Sequence, residues 1–289
     1  MAVLQRWTCA YNGLVMGAES AAVQVSEVDG LLSLPDVRTA DLELVQRHGL
    51  WPGDDYMGGR TVTVTLQVTA DTAAQFSRAI TDVQAAFIPG AAEKPFKFFF
   101  PGIAGDSEAY VKVRPRKRSG VLSSRFVAGA AEIVVELFAT DPYIYGGRPR
   151  TVTVASSHRA EIDGGLTVPF AVPVTVKGSS VPPPDPVTRF VAQGSVPARP
   201  LVTFENASNP VLADDITRDF FGITYSGGRF TVDSANEIVT DAAGNDITKL
   251  VTAGSSWPEY EPGTHRLRLR HGDPLTAATA VLTWQERWV

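Results

Sequence analysis

The sequence predicts a mainly β protein: an antiparallel N-terminal domain carrying one amphipathic helix, followed by a C-terminal β-sandwich. Three observations lead there. Apolar and polar residues alternate with period two in short runs closed off by Gly, Pro, Asn or Asp, the mark of half-buried strands. The 25 glycines and 20 prolines among 289 residues exceed the usual share of about 12%, and turn formers at that density cut a chain into short elements. One stretch departs from the alternation and repeats its apolar residues at helical spacing instead.

Arg60-Thr61-Val62-Thr63-Val64-Thr65-Leu66-Gln67-Val68 alternates apolar with hydroxyl or amide side chains and reads as a half-buried strand. The pattern recurs at 110–114, 132–138, 150–154, 173–177, 266–270 and 279–284. Between the first two strands, Phe76, Ile80, Val83 and Phe87 share one helical face, with Asp71 as the expected N-cap and Pro89-Gly90 as the stop. That face is expected to pack on the first sheet. A strong strand ends near Asp141 and two glycines follow at Gly146-Gly147, so we divide the chain into domains 1–148 and 149–289. Past this point strand and turn patterns dominate, which predicts the sandwich. Val181-Pro182-Pro183-Pro184-Asp185-Pro186 reads as a stiff, polyproline-like loop.

Hydrophobic residues at 44% and charged residues at 20% describe a chain able to bury a core rather than a disordered one. A net charge of −5 and a pI near 5.4 argue against a protein that grips nucleic acid, because neutralised phosphates supply most of that affinity. Cys9 is the sole cysteine, so no disulfide can form within the chain. No run approaches the ~18 apolar residues of a membrane span, and Met1–Trp7 lacks the basic-then-apolar layout of a signal peptide. We therefore expect a protein made in a cytoplasm, without membrane insertion.

No catalytic constellation stands out by motif. His48, His158, His265 and His271 stand in no His/His or Cys/His ligand spacing. His48 shares a Gly/Pro-rich loop with Asp54 and Asp55, where a small metal or acid-base site is conceivable beside the plainer reading of a solvated loop. There is no Gly-x-Ser-x-Gly elbow, phosphate-cradling loop or dinucleotide fingerprint. Cys9 reads as a small buried residue rather than a nucleophile. Arg114-Pro115-Arg116-Lys117-Arg118 is the best nucleic-acid candidate, but no aromatic interleaves it, and a solvated hairpin loop between two strands, or one facing an acidic neighbour, explains it better. Phe96-Lys97-Phe98-Phe99-Phe100 is too apolar for free surface and is read as core or subunit interface. We thus expect no catalytic residues, no cofactor and no metal: an assembly part or binding module, not an enzyme.

Several segments, in order, carry a resemblance. Leu34-Pro35-Asp36-Val37-Arg38-Thr39 leads through a Gly/Asp-rich loop, Trp51-Pro52-Gly53-Asp54-Asp55-Tyr56-Met57-Gly58, to Gly59-Arg60-Thr61 at the head of the alternating strand. Phe138–Tyr145 closes the domain; Pro197–Phe204, Gly254–Leu267 and Val281–Trp288 follow in the second half. This order resembles the siphophage distal tail protein family (siphovirus minor tail proteins). The resemblance implies that residues 1–148 form a belt domain closing a hexameric ring and that residues 149–289 form a galectin-like β-sandwich. It further implies a homo-oligomer at the tail tip of the virion, assembled in the host cytoplasm. Its expected partners are the tail tube protein, the tail hub and the tape-measure protein, with DNA passing through the lumen and no sequence-specific nucleic-acid binding.

Two other readings stay open. The C-terminal sandwich could be a carbohydrate- or cell-wall-binding module aiding host adsorption, with Trp257 or Tyr260 as stacking or core residues. A tail-associated hydrolase is the third and weakest.

Overall fold

The computed structural model describes residues 4–157, 186–273 and 276–289. The chain forms two compact units, Met1–Arg148 with Arg287–Val289, and Pro149–Glu286. The strand expected at 173–177, the proline-rich loop from Val181 to Asp185 and His158 lie outside the described residues.

The first unit opens with a hairpin, β1 (Thr8–Tyr11) and β2 (Leu14–Met16). Its two-residue loop is Asn12-Gly13, both at positive φ, as the favoured hairpin turn requires. Then come β3 (Val23–Asp29), β4 (Val37–Arg38), β5 (Leu42–Glu43), β6 (Leu50–Trp51), β7 (Tyr56–Met57), β8 (Arg60–Thr69), α1 (Ala73–Ala86), β9 (Lys94–Phe99), β10 (Ala109–Gly120), α2 (Ser124–Val127), β11 (Ala130–Ala139) and β12 (Ile144–Gly146). The main antiparallel sheet runs β2-β1-β9-β10-β11-β8-β3. β10 is its pivot: residues 109–113 pair with β9, while 114–120 pair with β11. The core takes the inward half of each alternation, including Val62, Val64, Leu66 and Val68 of β8 and Val135 and Leu137 of β11. Helix α1 adds Phe76, Ala79 and Val83 to that core.

Two expectations need correction, and one element was not foreseen. The helix cap is Thr72, not Asp71: the Thr72 hydroxyl accepts the Gln75 amide at 3.3 Å. The basic run 114–118 is no hairpin loop but part of β10, where Pro115 pairs with Leu137 and Arg116 is the extra residue of a bulge before Lys117. Arg116 lies over the Phe138 ring at 5.1 Å. Finally, α2 is a helical turn that no sequence pattern predicted.

The second unit is a sandwich. One sheet holds β13 (Arg150–Ala155), β15 (Leu201–Ala207), β18 (Gly228–Asp233), β19 (Ile238–Asp241) and β21 (Thr279–Trp284); the other holds β14 (Thr188–Ala192), β16 (Val211–Asp214), β17 (Phe220–Gly222) and β20 (Gly263–Arg270). Phe204, Phe230, Val232 and Leu282 of the first sheet join Leu212, Phe221, Leu267 and Leu269 of the second in one core. Phe204 and Phe230 stack with centroids 4.7 Å apart. A buried polar pair pins the second sheet: His265 Nδ1 lies 2.6 Å from Asp214 Oδ2, and Nε2 lies 2.7 Å from the Glu261 carbonyl.

The last strand, β22 (Arg287–Trp288), leaves the sandwich and pairs with β12 in the first unit, Ile144 opposite Trp288 and Tyr145 opposite Arg287.

Candidate assembly surface

The most unusual surface of the first unit is the segment between β3 and β8. Two nested ladders, β4 with β7 and β5 with β6, draw residues 37–57 into a β-arm. The arm and the segment leading into it carry Leu32, Leu34, Val37, Leu42, Val45, Leu50, Trp51 and Tyr56, all exposed, Val45 to 86%. An apolar surface of this kind on an otherwise well-packed unit marks a site of association.

The root of the arm is built rigidly. Arg60, 1% exposed, sends its guanidinium into a cage of main-chain carbonyls. Its Nε donates to Pro142 at 2.7 Å; its Nη1 donates to Gly30 at 2.6 Å and to Ser33 at 2.9 Å. Burial lowers the guanidinium pKa from its ordinary value, yet a group so basic stays charged at neutral pH. The flanking glycines are there because space is lacking. A Cβ on Gly30, whose φ is +87°, would meet the Thr61 carbonyl oxygen at 2.0 Å, and one on Gly59 would meet the Phe138 ring at 2.4 Å. Within the arm, Asp41 accepts the Gly53 amide at 2.9 Å, and the Gly58 amide donates to the Asp36 carbonyl at 2.6 Å.

The arm is acidic. Asp41, Glu43, Asp54 and Asp55 outnumber Arg38 and Arg47. The opposite character occurs at the far end of β10. Lys117 and Arg118 are exposed there, and the following turn exposes Val121, Leu122 and Val127. Phe126 anchors that turn edge-on to Phe76 at 5.1 Å.

The remaining sequence candidates fall elsewhere. Phe96 and Phe98 belong to the core, while Phe99 and Phe100 are half-buried. Cys9 is fully buried, and desolvation pushes its thiol up to about 12. His48, Asp54 and Asp55 all lie exposed on the arm, and no group of three or more His, Cys, Asp or Glu residues among the described ones is placed to hold a metal ion. No helix among the described residues is long and apolar enough to cross a membrane. Trp257 and Tyr260 separate: Tyr260 is in the sandwich core, Trp257 half-buried at its surface.

No protein-family model matches the chain, and no curated protein does so. Solved structures do. The SPP1 Dit protein, described as a paradigm of the hub adsorption apparatus in phages infecting Gram-positive bacteria, is similar with a TM-score of 0.63 and 15% identity over 98% of this chain and 99% of that one. Chains of the phage P2 baseplate in its activated conformation with Ca and with Sr give TM-scores of 0.44 and 0.43 at 7% and 9% identity, over 96% and 95% of this chain and 97% and 96% of theirs. This chain therefore has the mainly β fold of the SPP1 Dit protein along almost its whole length.

Proposed function

We propose that this chain is a structural component of a siphophage tail tip, a distal tail protein with no catalytic role. In this reading the first unit is the belt of a hexameric ring, and the second is a galectin-like sandwich. The ring joins the tail tube to the hub and receptor-binding apparatus, the tape-measure protein meets it during assembly, and DNA passes through its lumen. The observation that carries the reading is the exposed apolar arm on a rigid root; the full-length fold likeness supports it.

A ring closes through head-to-tail contacts, one patch meeting a different patch on the next copy. The acidic, apolar arm and the basic, apolar end of β10 with its turn are two such patches, complementary in charge. We assign the lumen wall to the outward face of β8. It presents Thr61, Thr63, Thr65, Gln67 and Thr69, hydroxyl and amide groups that release no counterions from passing DNA.

Light scattering across a concentration series, with negative-stain images, tests this on the purified chain and on the chain mixed with its tube and hub proteins. The expected species holds six copies of the 31.0 kDa chain and is annular. Leu42→Asp with Trp51→Asp on the arm leaves a folded monomer. Native-like assembly of that double variant, or a monomer even with tube and hub present, overturns the reading.

A further inference from the structure

Unit 2 holds a cleft of about 270 Å³ beside β16 and β17, a feature the ring reading does not use. Its wall is aromatic. Trp257 packs against Phe221 with centroids 5.5 Å apart and remains half-buried, and Phe220 beside it is exposed.

Its lining includes Tyr260 and Asp214. Tyr260 is 4% exposed, held among Phe190, His265 and Trp284. Burial, and then the Asp214 charge, raise its pKa, so the phenol keeps its proton. The Tyr260 main chain bonds Ala198, while the hydroxyl takes no hydrogen bond among the described residues. The hydroxyl is not sealed from solvent: it opens on the cleft, where water or a ligand acceptor meets it. The rim supplies acceptors and charge. Asp219 and Glu261 line the cleft with no cationic partner among the described residues, whereas Glu259 is held by Arg199 at 3.4 Å and Asp214 by His265.

A hydroxyl donor opening on the cleft, carboxylates without a cation and an aromatic wall describe one ligand class. Hydroxyl groups answer the donor and the acceptors, an ammonium answers the surplus negative charge, and a sugar's C–H face suits an indole wall as a cation suits its π-face. Ligand pockets run from roughly 300 Å³ upward, so a cleft this small takes a single ring. We propose that the cleft binds one unit of an amine-bearing saccharide, its ring against Trp257 and Phe220 and its ammonium at the Asp219 and Glu261 carboxylates. The site does not depend on ring formation.

Isothermal titration of the full-length protein with a glucosamine tetramer, its N-acetylated counterpart and tetralysine tests this at low salt, with the Trp257 indole N–H followed by NMR. The glucosamine tetramer is expected to bind at least tenfold more tightly than either competitor and to shift the Trp257 resonance. Asp219→Asn with Glu261→Gln lowers that affinity at least tenfold, while Asp54→Asn with Asp55→Asn on the arm leaves it unchanged. Both double variants keep the native mass of the parent protein, which separates this site from the ring reading. Equal binding of the acetylated tetramer or of tetralysine overturns the proposed ligand class. Full affinity in the Asp219/Glu261 variant, or an equal loss in the arm variant, overturns the site.

Discussion

Trp51 on the arm is 65% exposed, and Trp284 in the sandwich is 4% exposed. The two regions draw on the same residue types, and only one of them buries those residues between layers of its own. The sandwich seals its apolar residues between two sheets. The arm has no second layer, and its strands pair with each other over ladders of two residues each. Isolated two-stranded ladders are marginal in water. The arm therefore holds its course through its root, where Arg60 and the glycine contacts fix both ends, and its apolar side chains await another surface. A core residue pays out its stabilisation when the chain folds; in the proposed ring, an arm residue does so only when chains meet.

That comparison can be broken from the sandwich side with the largest effect. Phe204→Ala removes a fully buried ring stacked on Phe230 and is expected to destabilise the sandwich by about 3–5 kcal/mol. Urea unfolding followed by near-UV circular dichroism reads this; a loss below about 1 kcal/mol would show that the core between the sheets is not what holds unit 2.

Arg60→Met probes the junction of the two behaviours. It leaves the Pro142, Gly30 and Ser33 carbonyls without their buried donor, at a cost of about 1–3 kcal/mol. Its second signature is faster hydrogen exchange across residues 37–57, and native protection of the arm in this variant would show that the root is held by something else.

The smallest stability effect belongs to the arm. Trp51→Ala is expected to change the unfolding free energy of the isolated chain by no more than about 0.5 kcal/mol, the usual range for exposed positions, while weakening assembly. A stability loss as large as that of Phe204→Ala would mean that Trp51 packs within its own chain.

The sandwich and the main sheet were legible because burial on one face writes a period of two into each strand. Every residue of β8 from Arg60 to Thr69 follows it. The arm was not legible, because Val37–Arg38 and Leu42–Glu43 are exposed on all sides and no buried face imposes a pattern; the stretch read as a Gly/Asp-rich loop. The second half of β10 was hidden by Pro115 and by the charges around it, since a bulge is a property of pairing with β11 rather than of local sequence. The saccharide cleft could not be read at all: Asp219 and Glu261 approach only because β16 pairs with both β17 and β20. Trp257 had been noticed as a stacking candidate, but nothing local distinguished it from Tyr260, which the core absorbed.

The return of β22 to β12 has a consequence for the order in which the molecule is made. The sandwich is an insertion: its residues, 149–286, leave the ribosome before Arg287 and Trp288 are available. The first sheet consequently lacks a strand until the entire second unit has been synthesised, so a chain stalled or cleaved within the sandwich presents β12 with an unpaired edge. Completion of the first unit is thereby tied to completion of the second. Cutting the gene at residue 148 would remove that strand with the sandwich, whereas excising 149–286 and bridging the gap with a short linker would keep it.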